Sequence, residues 1–232
     1  TEYIVKFIYT MKKGIMTAML SVAVLSAGAQ TFNEWKDPGV NEVNRYPMHS
    51  NYFAYESSEG AVACEKEVSA NYMTLNGDWK FFWVQNSDAR PTDFWKKGFD
   101  DKGWATIPVP GVWELHGYGN PLYVNIGYAW RNQFRNNPPE VPVENNNVGS
   151  YRREITVPAD WKGQQVYLHV GSATSNLSLW VNGEYVGYSE DSKLEAEFEI
   201  TKYVKAGQEI ELPVTDNWSS VIPLAVSIDY TE

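Results

Sequence analysis

Apolar and polar residues alternate one for one along the second half of the chain. The alternation is clear in Tyr151-Arg152-Arg153-Glu154-Ile155-Thr156-Val157 and again in Gln165-Val166-Tyr167-Leu168-His169-Val170. Successive side chains of a strand point to opposite faces, so this period of two specifies strands with one face on a core. Leu177-Ser178-Leu179-Trp180-Val181 repeats the pattern and turns through Asn182-Gly183 into Glu184-Tyr185-Val186-Gly187-Tyr188. Asn-Gly between two such runs is the strongest short-range hairpin signal. Phe198-Glu199-Ile200 and Glu209-Ile210-Glu211-Leu212 extend the series, and Pro213, which has no N–H to give a ladder, places that last strand at an edge. Upstream, Asn76-Gly77-Asp78 introduces the strand Trp79-Lys80-Phe81-Phe82-Trp83-Val84, and Ala105 to Val109 runs into Pro110-Gly111. Many short strands with little helix predict an all-β chain folded as a jelly-roll β-sandwich.

Two stretches lack any period. Residues 30–71 contain the turn Asp37-Pro38-Gly39 but no sustained alternation, which predicts an extended arm laid over the sandwich. Residues 111–148 are rich in Gly, Asn and Pro yet carry Tyr118, Tyr123, Tyr128, Trp130 and Phe134. A loop of that length inside a compact domain is functional or disordered, and its aromatic content favours function. The chain therefore divides into an upstream extension (1–10), a leader (11–29), the arm (30–71), the jelly roll (72–215) and a divergent tail (216–232).

The leader reading rests on the basic Lys12-Lys13, the apolar run Ile15 to Leu25 and the small-residue site Ala27-Gly28-Ala29. This order is that of a secretory signal peptide starting at Met11, and the apolar run is too short for a permanent span. The expectation is export to the periplasm, cell surface or medium. Cys64 is the only cysteine, so no internal disulfide forms, and a lone thiol is expected as a small core residue. The net charge of −10 argues against nucleic acid or an anionic membrane as partner. Ten Trp and fifteen Tyr exceed ordinary packing needs and suit a surface that stacks on the apolar faces of sugars.

Specific motifs then converge. Glu34 to Asn41 with Asn44-Arg45, Leu75-Asn76-Gly77-Asp78-Trp79-Lys80-Phe81, and Ile107-Pro108-Val109-Pro110-Gly111-Val112-Trp113-Glu114 with His116-Gly117-Tyr118 occur in that order. Pro121-Leu122-Tyr123-Val124-Asn125, Asn137-Pro138-Pro139 with Val141-Pro142, and Val181 to Ser192 follow. Over roughly residues 33–207 this series resembles the N-terminal, sugar-binding domain of bacterial β-galactosidases of glycoside hydrolase family 2.

The resemblance implies that Asn125 reaches into the active site of a following domain and hydrogen-bonds the galactosyl unit, with Ile126 as its apolar neighbour. Tyr123 and Trp130 are weaker substrate contacts. A side-chain amide both donates and accepts, as a sugar hydroxyl requires. Composition alone would make Asn125 a turn residue. The resemblance also aligns Glu34, Asp37 and Glu190 with acids that in some relatives surround a peripheral magnesium ion, although exposed acids on an acidic chain are more often simply solvated. Magnesium and a monovalent cation are expected for the intact family enzyme and none for this chain.

A retaining glycosidase needs two carboxylates about 5 Å apart. In the family these lie on a TIM barrel beyond an immunoglobulin-like domain, and a barrel alone takes about 250 residues. The chain is therefore expected to be truncated before its catalytic barrel and inactive by itself. After Lys205-Ala206-Gly207 only Trp218-Ser219 keeps the family pattern. The leading reading is the sugar-binding portion of an exported β-galactosidase, partnered by the missing domains and a β-galactoside. The alternative is a free-standing secreted lectin that stacks sugar on Tyr118, Tyr123, Trp130 and Phe134, and a third reading is a decayed remnant.

Overall fold

The computed structural model describes residues 33–50, 52–121, 139–217 and 225–231. Eleven strands are defined among them: β1 (Glu42–Val43), β2 (Tyr72–Thr74), β3 (Gly77–Val84), β4 (Ala105–Val109), β5 (Val148–Thr156), β6 (Gln165–Ser172), β7 (Asn176–Val181), β8 (Glu184–Ser189), β9 (Ala196–Glu199), β10 (Glu209–Asn217) and β11 (Ala225–Thr231). They build a seven-stranded sheet, β1-β8-β7-β10-β5-β3-β4, and a four-stranded sheet, β2-β11-β6-β9. The recorded pairings are antiparallel. This is the all-β, jelly-roll sandwich that the alternation predicts. One α-helix, α1 (Ser58–Ala63), lies in the arm.

The core follows the period of two. Trp79 and Phe81 of β3, Val166, Leu168 and Val170 of β6, and Leu177, Leu179 and Val181 of β7 are buried together in one cluster with Ile210, Leu212 and Val214 of β10. A fully buried aliphatic or aromatic side chain contributes about 1.5–3 kcal/mol relative to exposure, so this shared interior is what holds the two sheets face to face. The hairpin β7–β8 turns at Asn182 (φ 53°) and Gly183 (φ 83°), the two positive-φ positions that its Asn-Gly pair was expected to fill.

The large sheet is covered on its other face as well. Trp180 of β7, Tyr188 of β8 and Arg152 of β5 point away from the shared core yet are buried. Residues 86–104 lie over Trp180 and Arg152, with Phe94 edge-on to Trp180 at 5.4 Å and flat against Trp104 at 6.0 Å. A sheet buried on both faces explains part of the high aromatic count.

Two expectations change. Pro213 lies in β10, which is central, between β5 and β7. The strand accepts it because β7 pairing begins only at Val214, opposite Leu179, leaving Pro213 just outside that ladder. Cys64 is exposed rather than a core residue. It ends α1 in a left-handed conformation (φ 56°), with its N–H bonded to Gly60, and α1 itself buries no residue. The tail also contributes β11, which lies between β2 and β6 in the smaller sheet. The leader, residues 1–29, is outside the described residues.

The arm joins the large sheet through β1, which pairs with β8. Gly187 permits that approach: a Cβ there would sit 2.2 Å from the Val43 carbonyl oxygen and 2.8 Å from Phe198 Cε1. Gly187→Ala is expected to cost about 1–3 kcal/mol and to speed amide exchange selectively at residues 41–45. Unchanged exchange there would show that β1 tolerates the methyl group.

Candidate functional site

The long loop is anchored at both ends on the same edge of the core. On its leading side Trp113 is 1 % exposed, in a 3-10 helix (Trp113–His116), and its indole N–H donates to the Tyr151 hydroxyl. Gly117 ends that helix with φ 86°, a conformation glycine adopts without strain, and Tyr118 N–H returns to the Trp113 carbonyl. The Tyr118 ring packs edge-on to Phe81 at 4.9 Å and tilted against Trp83 at 6.4 Å. On the returning side Asn146 Nδ2 donates to the Pro142 carbonyl, Asn145 N–H donates to Asn86 Oδ1, and Gln85 Nε2 donates to Asn145 Oδ1. β5 then starts at Val148, paired with Val84 of β3. Aromatic burial and amide hydrogen bonds therefore fix the base from which the loop is presented.

Trp83 and Tyr118 are half-buried rings, and Trp83 Nε1 is buried with no hydrogen-bond partner among the described residues. Glu114 Oε2 is in the same position. Burial pushes the Glu114 carboxyl up from its ordinary value, opposed by a hydrogen bond that it accepts from its own backbone N–H. Trp83 and Glu114 were not singled out from the sequence. Glu114 had a signal, being the one acid between Trp113 and the Gly117-Tyr118-Gly119 turn, whereas Trp83 read as one more strand aromatic.

Asn125, Ile126, Tyr123 and Trp130, the substrate contacts implied by the resemblance, lie outside the described residues, as does Phe134. Tyr118, expected as part of a stacking platform in the lectin reading, packs edge-on to Phe81 and tilted against Trp83.

The peripheral acids are placed differently from one another. Tyr185 Oη donates to Glu34 Oε1 at 3.1 Å, and Tyr188 Oη donates to Glu190 Oε1 at 2.6 Å. Burial, then the Glu34 charge, raises the Tyr185 phenol; burial and the Glu190 hydrogen bond do the same for Tyr188. Glu34 Oε2 is buried without a partner among the described residues. Asp37 is not part of this arrangement, since its Oδ1 accepts from Gly39 N–H and closes the local turn. Among the described residues no group of three or more His, Cys, Asp or Glu is arranged to hold a metal ion. One carboxylate oxygen of Glu34 and one of Glu190 thus accept from tyrosine hydroxyls, while Asp37 serves its own turn.

A second charged cluster is structural. Arg152, 5 % exposed, donates from Nε to Asp101 Oδ2 at 2.9 Å, from Nη2 to Glu211 Oε2 at 3.1 Å and from Nη1 to the Phe94 carbonyl. It thereby fastens the 86–104 cover to the large sheet, and it shares a shallow cleft with Lys80, Asp101, Arg153 and Glu154.

Comparison with known proteins agrees with this architecture. The family described as "Glycosyl hydrolases family 2, sugar binding domain" matches residues 72–226. A β-galactosidase of Priestia megaterium is 36% identical over 195 residues, covering 84% of this chain and 19% of its own length. A β-galactosidase of Halalkalibacterium halodurans is 40% identical over 173 residues, covering 75% of this chain and 17% of its own. Among solved structures, a β-glucuronidase from glycoside hydrolase family 2 superposes with a TM-score of 0.50 at 20% identity, over 71% of this chain and 18% of that one, which speaks for the fold alone. The chain thus spans under a fifth of the length of these two relatives.

Proposed function

The chain belongs to glycosyl hydrolase family 2 and carries its sugar-binding N-terminal domain, and from that premise we propose that it serves an exported β-galactosidase as the module that presents a substrate-contacting loop. The observation that carries this reading is the 36–40% identity to β-galactosidases across three quarters or more of the chain. The rigid aromatic base of the loop supports it, because a residue that reaches into another domain has to be held from a fixed root. In this reading the intact enzyme hydrolyses terminal β-galactosides with retention. Its two carboxylates, magnesium and monovalent cation belong to the domains that follow, and residues 11–29 direct export. The 232-residue chain alone turns over no substrate.

A chimera tests the reading. The chain replaces the matching region of the Priestia megaterium β-galactosidase, and hydrolysis of nitrophenyl β-galactoside is measured. The chimera is expected to be active, and Asn125→Ala is expected to lower kcat/KM by about tenfold, the value of one substrate hydrogen bond. An active chimera indifferent to Asn125→Ala would remove Asn125 from the substrate site. Galactose binding by the unfused chain would instead favour the lectin.

A further inference from the structure

We propose that the arm is clamped to the outer face of the smaller sheet by a protonation-sensitive imidazole–carboxylate–imidazole bridge, His49–Glu197–His169, so that pH controls whether residues 46–50 stay docked. The geometry is specific. His49 Nε2 lies 2.7 Å from Glu197 Oε2, and His169 Nδ1 lies 3.1 Å from Glu197 Oε1, so one carboxylate of β9 holds one ring from the arm and one from β6. His49 Nδ1 is at the same time 2.8 Å from the Ser50 carbonyl oxygen. A ring with both nitrogens against acceptors satisfies both only when both carry protons, that is, as imidazolium.

The surroundings are acidic or aromatic. Glu197 of β9 and Glu195 just before it act on His49, and Glu195 Oε2 is also 3.8 Å from His169 Nε2. From the arm itself, Tyr46 and Tyr52 flank the ring at 6.0 and 5.0 Å, and Tyr167 of β6 packs edge-on to Tyr46 at 5.4 Å. Among the described residues, the Tyr46 N–H also bonds to the Glu197 carbonyl, and Arg45 just before it donates to Ser189, the Glu190 carbonyl and Asp191. Tyr46, Met48 and Tyr52 are themselves largely exposed. With little apolar burial at residues 46–50, the bridge supplies the side-chain polar ties of that segment.

The shifts agree with this arrangement in sign. The Ser50 carbonyl and then Glu197 raise His49 above its ordinary value near 6.5. His169 and then His49 lower Glu197 below its ordinary value near 4.5, against the opposing effect of burial. A raised imidazole contributes fully below its unfolded value and is lost as pH climbs through the folded one. A lowered carboxylate contributes fully above its unfolded value and is lost as pH falls through the folded one. The clamp is therefore complete between about pH 4.5 and 6.5 and opens above that window.

Hydrogen exchange of the 232-residue chain tests the clamp, with rates corrected for the intrinsic pH dependence of exchange and β5 peptides as monitor of the global fold. Protection of peptides spanning residues 46–50 is expected to fall roughly threefold or more between pH 6 and 8.5 while β5 is unchanged. His49→Gln keeps a neutral donor towards Glu197 and is expected to flatten the profile; His169→Gln leaves the His49 bond and should retain it. A flat wild-type profile, or a profile kept by His49→Gln and abolished by His169→Gln, overturns the proposal.

Discussion

Arg152→Met is expected to lower stability by about 3–5 kcal/mol, because removing one partner of a buried ion cluster leaves its counter-charges uncompensated. Arg152 is 5 % exposed and holds Asp101, Glu211 and the Phe94 carbonyl together. Glu211 Oε1 accepts Gly98 N–H as well, so the loss spreads along the 86–104 cover. In a domain of this size the change amounts to roughly 10 °C or more in Tm. Arg152→Lys restores the charge without the planar fork and should recover only part of it. Adding Asp101→Asn and Glu211→Gln to Arg152→Met removes the stranded charges, and the triple variant is expected to melt above the single one. A single variant that melts within a degree or two of the wild type would show that the cover is held by Phe94 and Trp104 packing and not by the cluster.

Arg152 also shows what the sequence could not disclose. Its position in a strand was legible from the alternation around Tyr151 and Ile155. Its burial was not, because the second cover is built from residues 86–104, whose order shows no period that announces which face they will occupy. The hairpin at Asn182-Gly183 and the sandwich itself were legible because local turn chemistry and the period of two agree with the tertiary result. Pro213 misled for a related reason: a proline excludes only the ladder that needs its own N–H, and sequence does not say where the neighbouring strand stops. Cys64 misled because a short helix in the arm buries nothing. For the site, the motif series Trp113 to Asn125 located the loop, whereas Trp83 and Glu114 depend on how the loop's base closes over β3. The bridge between His49 and Glu197 joins residues 148 positions apart, a pairing that no local pattern encodes.

The second large effect is expected at Gly149. A Cβ there would stand 2.5 Å from Trp113 Cζ2 and 2.8 Å from Phe81 Cε2, closer than carbon atoms pack. Both rings are 1 % exposed; Phe81 is held between Tyr151 and Tyr118, and Trp113 cannot turn away without breaking its bond to Tyr151. Overpacking of this kind costs about 1–3 kcal/mol and sometimes more. Gly149→Ala is expected towards the upper end because the intruding carbon meets two rigid side chains at once. On the proposed function the consequence reaches activity, since Trp113 anchors the chain that leads towards Asn125. In the chimera with the Priestia megaterium enzyme, Gly149→Ala should therefore lower kcat/KM at temperatures where the protein is still fully folded by circular dichroism. Gly187→Ala, which strains the opposite edge of the same sheet, should lower Tm with little change in kcat/KM. Equal kinetic losses in the two variants would mean that general instability, and not the Trp113 anchor, sets the activity.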